Sequence, residues 1–316
     1  MSVPTSQFSE TGVPRVPVGD GIEVVFDWVD HNLGAFFDLI SDVVSGATGG
    51  LADGLNTLPP LILVILFAAL AWLVKDWKFA VVSFIGLAFV ISVDQWENAM
   101  ETLALVLVAT IIALVIAIPI GLAAARSDSV SNAVRPVMDL MQTMPAFVWL
   151  VPMVTLFSIG VGPGVVATVI FALPPGVRLT ELGIRQVDAE VVEAGHAFGS
   201  SPGQILRGIQ IPLALPTIMA GVNQVIMLAL SMAVIAGLVG AGGLGGAVTS
   251  SISQLDIGLG FEAGLSVVVL AIYLDRTTAA VGGGAAARAR RITGGFGRML
   301  GRSRTTAAPV PAGSPT

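Results

Sequence analysis

The sequence predicts an all-α protein threaded repeatedly through a lipid bilayer, on three observations. Charged residues make up only 11% of the 316 positions and hydrophobic ones 54%, where a soluble domain carries about 25% charged residues. Apolar stretches recur seven times, each approaching the roughly 20 residues needed to cross the hydrocarbon core. The 15 Lys and Arg fall at alternate interruptions between those stretches. A large soluble core does not account for the charge deficit, because a globular surface still needs charges. Abundant Gly and Pro suit transmembrane helices better than soluble ones. There is no Cys, which excludes disulfides and thiolate metal sites. The two His, His31 and His196, argue against a His-built metal centre.

Residues 1–20 are rich in Pro, Ser and Thr and read as unstructured. The first 57 residues hold eight acidic groups and one Arg. With no basic stretch ahead of an apolar core, no cleavable signal is expected. Residues 21–45 predict an amphipathic helix lying flat on the membrane. Ile22, Phe26, Val29, Leu33, Phe36, Ile40 and Val44 recur at three- and four-residue steps, and Glu23, Asp27, Asp30, Asp38 and Asp42 fall mostly opposite. Asn56 to Pro60 punctuate the chain. The seven spans are then Leu58–Val74, Phe79–Val93, Ala99–Ala125 (kinked by Pro119), Val137–Ile159, Gly164–Val177, Leu213–Val239 and Phe261–Val281. The membrane-embedded body is therefore 58–281, between an N-terminal segment 1–57 and an Arg-rich tail 282–316 that is expected to be disordered.

Orientation follows from charge. With the C-terminus in the cytoplasm, Lys75, Lys78, Arg126, Arg135, Arg178, Arg185, Arg207, Arg276 and six tail Arg lie inside, and only Arg15 lies outside. That satisfies the positive-inside rule. The longest interior interruption, 178–212, reads RLTELGIRQVDAEVVEAGHAFGSSPGQILRGIQIP. Asp188 is placed to cap a short helix, Gly199 to permit a reversal, and Ser201-Pro202 to open a second helix with an apolar stripe of Ile205, Leu206 and Ile209. A helix–turn–helix of this length is a docking element rather than an ordinary connection, which is far shorter.

Within that loop, Glu193-Ala194-Gly195, then Gly199, then Ile209-x-Ile211-Pro212 resembles the EAA loop of ATP-binding-cassette importer permeases. The family pattern is Glu-Ala-Ala, three residues, Gly, nine residues, Ile, one residue, Leu-Pro; Gly195 and Ile211 depart from it. QTMPAFVWLVP (ending at Pro152), FALPPGVRLTELGI (from Phe171), LPTIMAGVNQVIMLALSM (from Leu215) and VGAGGLGGAV (from Val239) resemble glycine betaine/proline betaine permeases, so the likeness covers roughly Leu58 to Val281. The acidic amphipathic segment resembles that subfamily too. The resemblance implies a type I importer permease fold in a prokaryotic cytoplasmic membrane. It further implies a homodimer around one pathway, two ATPase subunits gripped by the EAA loops, and an extracytoplasmic binding protein that delivers the solute. The solute would be glycine betaine, proline betaine, choline or carnitine. No G-x-x-x-x-G-K-[ST] segment occurs, so ATP and Mg are expected on the partner subunit. This chain would then bind no cofactor, perform no catalysis, and associate with lipid rather than nucleic acid.

In that frame Glu193, Ala194, Gly195, Gly199, Ile205, Leu206, Ile209 and Pro212 form the coupling loop, with Glu193 expected to order it by hydrogen bonding at a helix end. His196 sits at a variable motif position, and His31 on the amphipathic helix. Gln142, Thr143, Asn223, Gln224 and Ser231 are polar groups inside spans; they either line a pathway or join helices. Met227, with Met219, Leu228 and Met232, forms either an apolar gate or ordinary packing. Trp149 lies where a passing quaternary ammonium would meet its ring, although one Trp is not a cage, and the cage is expected on the binding protein. Asp139 and Arg135 are expected to pair at i,i+4. Gly240–Gly246 reads as a turn at the outer mouth. An ion-coupled secondary transporter would need intramembrane ionisable relays, which are nearly absent. A membrane-embedded enzyme would need nucleophile or metal motifs, none of which is present.

Overall fold

A computed structural model describes residues 18–301, with side chains from 19 to 283. Residues 1–17 and 302–316 lie outside the described part, including most of the N-terminal segment expected to be unstructured. The described chain is helical throughout. It comprises α1 (Val18–Thr57), α2 (Pro60–Val74), α3 (Trp77–Ser92), α4 (Trp96–Arg126), α5 (Asp128–Thr143) and α6 (Leu150–Phe157), the last preceded by a 3-10 turn Ala146–Trp149. There follow α7 (Val161–Arg185), α8 (Ala189–Ala197), α9 (Pro202–Ile205), α10 (Ile211–Ala236), α11 (Gly243–Gln254) and α12 (Ile257–Gly301).

Four stretches are long and apolar enough to cross a membrane: α4, α7, the continuous segment Pro202–Val239, and Ile257–Gly283 within α12. Counting each bent helix pair as one span gives up to six, against the seven expected. The difference has three sources. At about 1.5 Å per residue, α2 and α3 are only some 22–24 Å long, short of a ~30 Å core. The expected fourth span, Val137–Ile159, is broken: α5 meets the 146–157 segment at 105°. Met144, preceding Pro145, takes an extended conformation (φ −72°, ψ 134°), as the proline ring requires of its predecessor. Finally, α1 turns 102° into α2 through Pro59.

α4, α7 and α10 form the centre, and α7 makes the most extensive contacts with the other two. They approach closely because small residues recur every fourth position. Ala109, Ala113, Ala117 and Gly121 on α4 are buried, as are Gly164, Thr168, Ala172, Gly176 and Thr180 on α7. A Cβ placed on Gly121 would stand 2.6 Å from the Val177 carbonyl oxygen, and one on Gly176 would stand 2.9 Å from Ala117 Cβ. In lipid, where no hydrophobic drive pulls apolar helices together, such close packing supplies the association.

Helix ends cluster at two poles. At one, Gly160 N–H donates to the Val239 carbonyl (3.0 Å), and Glu101 and Thr102 accept from the first amides of α11, Gly243 and Leu244 (2.7 and 2.8 Å). The turn is shorter than the expected Gly240–Gly246: it comprises Gly240–Gly242, and Gly243–Gly246 open α11. At the other pole Arg185, Asp128 and the end of α4 meet. α1 is longer than the expected 21–45, and its second half lies on α4, α6 and α7. Phe37, not Phe36, reaches an aromatic on another helix, edge-on to Phe157 at 5.2 Å; Phe36 is exposed. At the far end, α12 continues to Gly301 instead of yielding to a tail at residue 282. The run 285–291, all Ala and Arg, has high helix propensity.

Candidate functional site

The loop after α7 is built from local capping chemistry. Asp188 accepts from Glu190 N–H (2.9 Å) and starts α8. α8 ends at Phe198. Gly199 follows with φ +78°, its N–H donating to the His196 carbonyl (2.9 Å), while Ser200 N–H donates to that of Gly195 (3.1 Å). Ser201 and Gln204 then exchange reciprocal side-chain–backbone bonds, with Pro202 in the first turn of α9. One π-helical turn, Leu206–Gln210, carries the chain into α10.

The apolar stripe points inward, contrary to expectation. Ile205 and Leu206 are 2% and 6% exposed; Leu206 packs with Ile184, Ala214 and Ile218. Ile209 and Pro212 are half-buried. These residues fasten the loop to its own subunit. Gly195 is what lets α8 lie on that stripe: a Cβ there would stand 2.9 Å from Ile209 Cδ1 and 3.2 Å from Ile205 Cγ1. Ala194 is half-buried, whereas Glu193 and His196 are exposed. Among the described residues Glu193 neither caps a helix nor pairs with a base, and capping falls to Asp188 and Ser201. The sequence reading missed Phe198, which projects from the turn at 84% exposed. An aromatic directly before the turn glycine was its only signal.

The intramembrane candidates divide into four groups. Gln224, Met227 and Ser231 lie at three- and four-residue steps on one face of α10; Gln224 and Ser231 are exposed, and Ser231 bonds only the Met227 carbonyl (3.0 Å). Asn223 is separate: its Nδ2 donates to Asp275 Oδ1 on α12 (2.9 Å), so it joins helices. Met232 is fully buried among Leu150, Met153, Phe157 and Ala167 and is packing, not gate. Gln142, Thr143 and Trp149 flank the break between α5 and α6. There the Trp149 indole N–H donates to the Met141 carbonyl (3.3 Å) and Thr143 Oγ1 to that of Leu140 (3.3 Å). Satisfying these last carbonyls lets a broken helix persist at bilayer depth, where an unpaired one costs several kcal/mol. Trp149 also walls an open groove of about 640 Å³ between the break and α1, shared with Phe26, Glu23, Asp27 and Thr155.

Arg135 and Asp139 do not pair with each other. Arg135 reaches Glu181 (3.4 Å) and Asp139 meets Arg178, because the partners offered by α7 displace the i,i+4 neighbour. No group of three His, Asp or Glu among the described residues converges as metal ligands do.

A helical bundle with a capped polar loop before its longest continuous apolar helix is the architecture of a binding-protein-dependent permease. The chain belongs to the family of binding-protein-dependent transport system inner membrane components, which matches residues 117–282. It is the transmembrane permease subunit of an ATP-binding-cassette importer. It is 48% identical over 266 residues to the glycine betaine transport system permease protein OpuAB of Bacillus subtilis (strain 168), covering 84% of this chain and 94% of that protein. It is 45% identical over 276 residues to the glycine betaine/proline betaine transport system permease protein ProW of Escherichia coli (strain K12), covering 87% and 78%. Its fold is that of a chain in the inward-facing MetNI methionine ABC transporter, with a TM-score of 0.55 and 22% identity over 58% of this chain and 92% of that chain.

Proposed function

We propose that this permease imports a glycine-betaine-type quaternary ammonium solute, as a homodimer with two ATPase subunits and an extracytoplasmic binding protein. The observation that carries the reading is the 48% identity to a glycine betaine permease along 94% of that protein's length. The groove beside Trp149 adds chemical support. Glu23 and Asp27 supply negative charge and the indole supplies a π-face, and a methylated ammonium is attracted to both. Gln224, Met227 and Ser231 on α10, with Gln142 and Thr143 at the break, offer weak polar contacts along the route. Transport needs contacts of that strength, since a passing solute must leave as readily as it arrives.

The basic pole lies in the cytoplasm; with α2 and α3 each taken as a crossing, joined by the loop that carries Lys75 and Lys78, the chain crosses seven times and the N-terminus is outside and the C-terminus inside. There Phe198 is the anchor offered to an apolar pocket on the ATPase subunit, where ATP and Mg reside. Gly199 holds the turn, while Gly195, Ile205, Leu206 and Ile209 hold the loop to the membrane domain. The test is uptake into proteoliposomes holding the complete complex, with glycine betaine, proline betaine, choline and carnitine compared. ATP-dependent accumulation of glycine betaine supports the reading; accumulation without ATP, or of none of the four, overturns it.

A further inference from the structure

At the basic pole one carboxylate does more than its exposed neighbours. Glu181, on α7, is 8% exposed. Its Oε1 accepts from Ser131 Oγ on α5 (2.7 Å) and Arg185 Nε on α7 (2.9 Å), and lies 3.4 Å from Arg135 Nη2 on α5. Arg185 in turn donates to the Ala124 carbonyl of α4 (2.8 Å) and pairs with Asp128 of α5 (2.8 Å). Two acids and two bases thus close a neutral node across three helices. Further along the same seam, Asp139 of α5 meets Arg178 of α7.

Apolar burial does not explain how α5 is held. Only Ser131 and Met138 of its 16 residues are buried, and the cluster beneath it is small: Ala117, Met138, Leu173 and Val177. At its far end α5 loses helical continuity at Met144, the break that carries Trp149. The attachment of α5 to α7 is therefore mainly ionic and directional. Such contacts resist sliding more than apolar ones, because a buried carboxylate separated from its partners is left uncompensated. α7 ends at Arg185, three residues before Asp188 opens the docking loop.

We propose that Glu181 is a positioning residue. It makes α5, and with it the broken span, move as one body with α7 and the docking loop, so that a pull from the ATPase subunit reaches the pathway. The inference rests on the reading of that loop as the segment gripped by the ATPase.

The test uses the complete complex in proteoliposomes, measuring solute uptake and ATP hydrolysis together. In Glu181→Ala the ATPase subunit stays bound and hydrolysis continues, but uptake per ATP falls about tenfold, the scale of one lost charge-assisted hydrogen bond. Ser131→Ala, which removes one donor to the carboxylate and leaves both arginines in place, loses less, about threefold, the low end of the net worth of one hydrogen bond, and Glu181→Gln recovers part of the ratio. Should Glu181→Ala fail to assemble, Ser131→Ala carries the measurement. Paired spin labels at Asn132 and Gln186, both exposed in a chain without native Cys, give the second readout. Their separation stays constant between nucleotide-free and ATP-trapped states of the parent and splits into two populations in Ser131→Ala. Unchanged uptake per ATP in the substituted complexes, parallel loss of uptake and hydrolysis, or a parent label separation that moves with ATP would each overturn the proposal. If instead the parent chain fails to retain the ATPase subunit, the docking reading itself is lost.

Discussion

Replacing Gly199 with Val isolates the backbone geometry of the docking turn from everything around it. Gly199 has φ +78°, and a Cβ built on it meets nothing within 4 Å. The substitution therefore brings no clash, only the cost of holding a non-glycine residue in left-handed backbone, about 1–2 kcal/mol. A β-branched side chain lies at the upper end of that range. Two hydrogen bonds depend on the conformation, from Gly199 to His196 and from Ser200 to Gly195, and both position Phe198. A penalty of 1–2 kcal/mol shifts a two-state equilibrium by roughly 5–30-fold. In a reconstituted complex, uptake and binding-protein-stimulated ATP hydrolysis should fall together by about that factor, with the amount of inserted permease unchanged. Gly199→Asn, which tolerates this backbone region, should stay near the parent, and Gly199→Ala should fall between. Full uptake in the Val variant would refute the assignment of the turn. Equal loss in Asn and Val would assign the effect to side-chain bulk instead of backbone strain.

Other consequences can be measured separately. Phe198→Ala should weaken retention of the ATPase subunit by about 30-fold, equivalent to a ~2 kcal/mol hot spot, as read by titrating detergent-purified permease with that subunit. Gly121→Leu should lower the thermal unfolding midpoint through an overpacking cost of about 1–3 kcal/mol, while Gly264→Leu, where a Cβ meets nothing within 4 Å, should leave it unchanged. Single cysteines introduced at Leu255 and Ser200 should label with an impermeant maleimide from opposite sides of intact cells; equal labelling at both would invert or abolish the proposed orientation.

What was legible in the sequence was what local chemistry decides. Asp188, Gly199 and Ser201 marked the loop because a cap or a reversal involves residues only two to four positions apart. The ATP-binding-cassette permease family was likewise legible in the spacing from Glu193 to Pro212. Direction was not. Pro145 marks a break within Val137–Ile159, but nothing in the sequence reports that the chain turns 105° there. The stripe of Ile205, Leu206 and Ile209 was visible, but a stripe does not say which neighbour covers it, and here it is the subunit's own α7, α8 and α10. Arg135 and Asp139 had each other within reach on one helix, yet each found its partner about 40 positions away on α7. Asn223 read equally as a pathway lining or a join between helices, and the choice fell to the join only through Asp275, more than 50 positions on.

The four-residue ladder of small side chains through α4 and α7 also limits how this protein can diversify. Along the ladder the spacing between helices is set by backbone atoms, so an added methyl group there displaces a whole helix instead of reshaping a surface. The segment around Met144–Trp149 and the Gln224–Ser231 face of α10 bear no such constraint. Variants that recognise a different solute should therefore accumulate changes in those two places while the ladder stays as it is. An engineered library confined to them would sample new specificities without spending its members on chains that no longer assemble.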